Sequence, residues 1–108
     1  MPLDAPYHHH HAEQIGIVDR MRNSLLTNGW CQRKFEDGDR RCFLGALYDA
    51  VGYSPTFDRV ANSIVIAAFD ILEGQHAQLW QDKPGRTVFE VLDLLDHVRD
   101  HFETAPSA

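Results

Sequence analysis

The stretch SPTFDRVANSIVIAAFDILE, residues 54–73, decides the fold. On a helical wheel Phe57, Val60, Ala61, Ile64, Val65, Ala67, Ala68, Ile71 and Leu72 span well over half the circumference, and Arg59, Asn62, Ser63, Asp70 and Glu73 fall elsewhere. A helix apolar over that much of its surface must be covered from several sides, so this one is expected to organise the chain, with Ile64 and Ala68 in the core. Ser54 suits an N-cap. Pro55 suits the first helical position, where a missing N–H costs nothing, and Gly74 suits the C′ position.

Before this stretch, residues 12–28 read as an amphipathic helix, with Ile15, Val18, Met21, Leu25 and Leu26 on one side and Asn28-Gly29 as a C-cap pair. Residues 41–51 repeat helical spacing through Cys42, Phe43, Ala46, Leu47, Ala50 and Val51, and Gly52 ends the run. Gly45 costs about 1 kcal/mol against alanine inside a helix, which points to close approach by a neighbouring element. Between these two helices, Asp37-Gly38 signals a turn and allows a short hairpin within residues 30–43, pairing residues 30–35 with residues 40–43. After the quoted stretch, residues 75–86 read as a loop with the turn Lys83-Pro84-Gly85. Thr87 and Glu90 then match a capping box at the start of a helix over residues 88–102. That helix is expected to bury Val88, Val91, Leu92, Leu95, Val98 and Phe102 and to turn Glu90, Asp93, His97, Asp100 and His101 to solvent. The resulting fold class is all-α, a compact bundle of about four helices with an optional two-stranded hairpin.

A chain of 108 residues, 44% hydrophobic, is expected to form one domain over residues 12–103. Such a domain buries roughly 65% of the surface its unfolded form exposes. Residues 1–11, with the run His8-His9-His10-His11, are expected to be a disordered tail, natural or a cloning remnant, and residues 104–108 a frayed end. Sixteen acidic against ten basic residues give a formal charge of −6, which argues against a broad phosphate-binding surface. Two cysteines are too few for a disulfide scaffold. Without an apolar run of signal or membrane-spanning length, the expected setting is cytoplasmic, with no membrane partner.

Two blocks carry a resemblance. The first is Gly29-Trp30-Cys31-Gln32 followed by residues 41–47, RCFLGAL; the second is residues 80–87, WQDKPGRT, followed by Glu90-Val91-Leu92. Together they resemble a family of small domains of unknown function encoded in actinobacteria and their phages, over roughly residues 15–100. The chain departs at Gln81, where the family usually has asparagine, and in its charged insert at residues 33–40. The resemblance implies the domain boundaries and carries no activity.

Several residues invite a chemical reading. Cys31 and Cys42 could face one another across the hairpin, but a zinc site needs about four ligands and only His76 is a further candidate; the alternative is two small core residues. A nucleophilic cysteine would need a base that cannot be named. Asp93, His97 and His101 share a helical face at metal-ligand spacing without HExxH, which fits a solvated face equally well. Arg99 falls within the apolar stripe, where it would snorkel over the core edge or form a buried ion pair with an acidic neighbour. Trp30, Gln32, Trp80, Asp82 and Arg86 combine large rings with polar groups and form the candidate binding site, with loop packing as the competing reading. The two blocks are expected to meet in space, since alternate connections of an up-and-down bundle share an end.

No catalytic constellation or phosphate loop is recognisable, and no cofactor is expected. The leading expectation is a non-enzymatic protein-interaction or regulatory module with another protein as partner. The alternatives are an enzyme or small-ligand binder at the Trp30/Gln32/Trp80/Asp82 region, and a nucleic-acid binder using Arg33, Lys34, Arg40 and Arg41, the last disfavoured by the net charge.

Overall fold

The structure, a computed structural model, describes residues 5–52 and 57–104. Its elements are α1 (Ala5–Asn28), β1 (Glu36–Asp37), β2 (Arg40–Arg41), α2 (Phe43–Val51), α3 (Phe57–Ile71), α4 (Ala77–Gln81) and α5 (Val88–Thr104). The fold is all-α with one antiparallel hairpin, and the described residues contain five helices rather than about four. The addition is α4, which lies within the expected loop at residues 75–86.

The most extensive seams run along α1, against α5 on one side and α2 on the other, and α1 also meets α3 and β2. The organising element is therefore α1 more than the stretch singled out by its hydrophobicity. α3 does pack against α1, α2, α4 and α5, and it buries Val60, Ala61, Ile64, Ala67 and Ala68, yet Ile66 and Phe69 stay exposed. The expected N-cap Ser54 and first-turn Pro55 lie outside the described residues.

The helical backbone of α1 starts at Ala5, ahead of the expected Ala12. Nothing between Pro6 and Ile15 breaks a helix, and a proline in the first turn removes an N–H that has no intrahelical partner anyway. The buried side of α1 is Gln14, Ile17, Val18, Met21 and Leu25, while Leu26 is exposed. Leu26 falls one helical step beyond the buried stripe, and the place at its N-terminal end goes to Gln14, whose Nε2 donates to Ser63 Oγ of α3 at 2.8 Å.

In the hairpin, Glu36 pairs with Arg41 and Asp37 with Arg40, so the first strand is residues 36–37 and not residues 30–35. The two-residue loop Gly38-Asp39 sets this register. Gly38 at φ 64 has the conformation a type II′ turn requires at its first central position. Trp30 instead makes a single parallel bridge to Arg41.

At the end of α3 the left-handed C′ residue is Glu73 (φ 56), with Gly74 (φ 92) one position later. Gly74 N–H donates to Phe69 O at 2.9 Å and Glu73 N–H to Asp70 O at 3.1 Å, the two bonds of a Schellman motif. α5 buries Val91, Leu92, Leu94, Leu95, Val98 and Phe102, with Val88 only half-buried. Among the described residues no helix is long and apolar enough to cross a membrane.

Candidate functional site

The two sequence blocks meet at the end of the molecule where the hairpin, the start of α2 and α4 converge. Gly29 (φ 100) turns the chain out of α1. Cys31 N–H then donates to Arg41 O at 3.0 Å, tying the first block to the hairpin. Cys42, in extended conformation, caps α2, its Sγ accepting the Gly45 N–H at 3.2 Å. Gly45 allows the close approach that its position in the sequence suggested: a Cβ built there would stand 2.2 Å from Phe35 O, which already accepts the Cys42 N–H.

Gln81, fully buried at the end of α4, joins the blocks. Its Oε1 accepts the Trp30 indole N–H at 2.6 Å and the Phe43 N–H at 3.1 Å, filling both lone pairs. Its Nε2 donates to Cys31 O at 3.4 Å and to Asp82 Oδ1. Gln32 Nε2 donates to Gln81 O at 2.9 Å and Lys83 O at 3.0 Å, and Arg33 N–H donates to Asp82 Oδ1 at 2.8 Å. Gln78 accepts the Leu44 N–H and donates to Asp82 Oδ2. Each bond spans residues far apart in sequence or fixes one that does.

Arg86 stacks over Trp80, its guanidinium carbon 4.1 Å from the ring centroid. Its Nε donates to Trp80 O at 3.0 Å and its Nη1 to Glu90 Oε2 at 2.8 Å. The turn between them is closed by Arg86 N–H donating to Lys83 O, with Gly85 at φ 88 as a type II turn needs. Thr87 and Glu90 form both halves of the expected capping box: Thr87 N–H donates to Glu90 Oε1 at 2.9 Å and Glu90 N–H to Thr87 Oγ1 at 3.3 Å.

The structure thus brings Trp30, Gln32 and Asp82 into one bonded cluster centred on Gln81 and sets Trp80 and Arg86 beside it. The side-chain nitrogen of Gln32, the carboxylate of Asp82 and the guanidinium of Arg86 are engaged inside the chain. Sequence reading passed over Gln78 and Gln81 as hubs, because a glutamine in a presumed loop carries no sign of burial. What remains open is a groove of about 300 Å³ lined by Arg33, Lys34, Phe35, Gln78 and Asp82. Phe35 is 54% exposed, and its ring meets Tyr48 edge-on at 6.0 Å.

Of the four basic residues in the loop, Arg40 pairs with Asp37. Arg41 pairs with Asp49 at 2.6 Å and with Glu36 at 3.7 Å. Lys34 reaches Asp37 at 3.9 Å. Cys31 and Cys42 are both free and buried. Burial is the largest cause pushing each thiol up, which keeps both protonated and poorly nucleophilic at neutral pH. Asp93, His97 and His101 are exposed on α5. His97 Nδ1 lies 2.8 Å from Asp93 O, a contact that, with the Asp93 carboxylate, holds the imidazole above its ordinary value. Among the described residues no three His, Cys, Asp or Glu side chains are grouped to hold a metal ion. Arg99 leaves the apolar stripe to pair with Asp19 of α1 at 2.8 Å and with Glu103. The pair is at the surface, not buried.

No curated protein and no solved structure matches the chain. Residues 10–101, which include the whole of this cluster and every hydrogen bond that joins its blocks, match the model of a family of unknown function, DUF6197. The chain therefore belongs to the DUF6197 family.

Proposed function

We propose that the protein is a non-enzymatic protein-interaction module and that a partner protein docks on the face made by residues 33–35 and α4. The observation that carries this reading is the division of labour at the block junction. The Gln32 amide nitrogen, the Gln81 amide and the Asp82 carboxylate hold the two blocks together, while Phe35 presents a half-exposed ring beside the groove. An aromatic side chain held on a rigid frame next to basic groups is the usual anchor of a protein interface. The acidic partners of Arg40 and Arg41 leave little positive charge to gather phosphates, which weighs against a nucleic-acid surface. Protonated, buried thiols weigh against nucleophilic catalysis.

The test is affinity capture from the native host with the unaltered chain and with Phe35→Ala and Arg33→Ala variants whose circular dichroism and melting are unchanged. A protein retained by the unaltered chain and lost from the Phe35→Ala variant is the expected result. Equal retention by all three removes this face from the reading.

A further inference from the structure

The two cysteines are neighbours in register. Arg41 N–H donates to Gly29 O at 3.2 Å, and Arg41 O accepts the Cys31 N–H at 3.0 Å. This single parallel rung pairs Trp30 with Arg41, and the next residue on each segment is a cysteine. Cys42 continues extended, at φ −89 and ψ −177. Facing positions on paired segments share a side, so Cys31 and Cys42, one residue beyond the rung on each segment, are placed side by side. Burial agrees: the cysteines are 7% and 0% exposed, and Trp30 and Arg41 are half-buried. Paired segments lie roughly 4.8 Å apart, within the Cα separation of about 4.4–6.8 Å that a disulfide spans. The thiols also sense each other, since a Cys42 thiolate would add to burial in pushing Cys31 up.

We propose that Cys31 and Cys42 are a redox modification site, closing to an intrachain disulfide when the protein meets a low-molecular-weight disulfide. Cys31 reacts first because it retains the little exposure the pair has; its thiol donates to Lys34 O at 3.5 Å on an exposed loop. Its sulfur, having lost its proton, attacks the oxidant's S–S bond and releases one small thiolate, leaving a mixed disulfide. The Cys42 sulfur, likewise deprotonated, attacks the Cys31 sulfur, forms the intrachain S–S bond and expels the second small thiolate. The two released thiolates take up the two protons. The chain's sulfurs are oxidised and the small disulfide is reduced to two thiols. The Cys42 sulfur keeps lone pairs through the reaction, so it can still accept the Gly45 N–H that caps α2. The product closes residues 31–42 into a ring and pins the segment bearing Arg33, Lys34 and Phe35 to the start of α2. Such a ring removes freedom chiefly from the unfolded chain, so native geometry and disulfide stabilise each other.

The experiment equilibrates the full chain in glutathione and glutathione disulfide mixtures, once folded and once in concentrated urea. Both are approached from the reduced and the pre-oxidised chain, so that slow access to buried sulfur does not decide the result, and are quenched with acid and weighed intact. The folded chain should lose two hydrogens in mass, with no retained glutathione. It should reach half-oxidation at a ratio at least about tenfold more reducing than the unfolded chain needs, and its melting midpoint should rise on oxidation. Cys31→Ser and Cys42→Ser should abolish the two-hydrogen loss. Equal ratios for folded and unfolded chain, a folded chain harder to oxidise, or glutathione retained on both sulfurs would overturn the proposal.

Discussion

Gly45 and Glu73 show how much one backbone position can decide. Alanine at 45 would favour the helix by about 1 kcal/mol through propensity alone, yet its Cβ would stand 2.2 Å from a backbone oxygen that cannot swing away. The clash wins. Gly45→Ala is expected to destabilise by about 1–3 kcal/mol net, as overpacked sites do, read as a lower urea midpoint at constant slope. Glu73 is the opposite case, a side chain in left-handed backbone (φ 56) that only the Schellman geometry holds there. Glu73→Gly should stabilise by about 0.5–1 kcal/mol, the strain relieved less the freedom glycine gains when unfolded. A lower melting temperature for that variant would contradict the assignment of Glu73 to C′.

At the scale of the element, α5 is legible from its sequence because its start is encoded within four residues. Thr87→Ala should cost about 1 kcal/mol by chemical denaturation, with Thr87→Ser close to neutral, since only the hydroxyl is needed. The acid side of the same box is pH-dependent. Hydrogen bonds from the Thr87 N–H and then Arg86 hold the Glu90 carboxyl below its ordinary value of 4.5. A depressed carboxylate contributes stability that is present above the unfolded value and is lost as pH falls through the folded one. Urea midpoints taken from pH 7 to pH 3 should therefore decline below about pH 4.5, and Glu90→Gln should flatten part of that decline. By contrast α4 was not legible. Five residues cannot set a helical period, and its cap is His76 Nδ1 accepting the Gln78 N–H at 3.0 Å, a role no sequence rule assigns to histidine.

For the whole molecule, the strongest dependence is expected at Gln81. Gln81→Leu would leave the Trp30 indole N–H and the buried Phe43 N–H without their acceptor. At about 1–3 kcal/mol for each stranded group, the chain should lose about 2–6 kcal/mol and shift its tryptophan fluorescence. A loss below about 1 kcal/mol would show that water replaces the hub and that the blocks are held otherwise. The sequence by itself determined what is local or periodic: the apolar stripes of α1, α3 and α5, the burial of Ile64 and Ala68, the turn at Asp37-Gly38, the capping box, and Gly45 as a point of contact. It also pointed to the meeting of the two blocks, since alternate connections of an up-and-down bundle share an end. Only the tertiary structure decided that Gln14 and Gln81 are core residues, that Leu26 is not, that Glu73 takes the left-handed position, and that the two cysteines stand in register. The physical reason is the same in each case. An apolar stripe announces its burial through its own spacing, whereas the burial of a polar side chain depends on the partners that hold it, and apart from the neighbouring Asp82 the bonded partners of Gln14 and Gln81 lie 38 to 51 residues away.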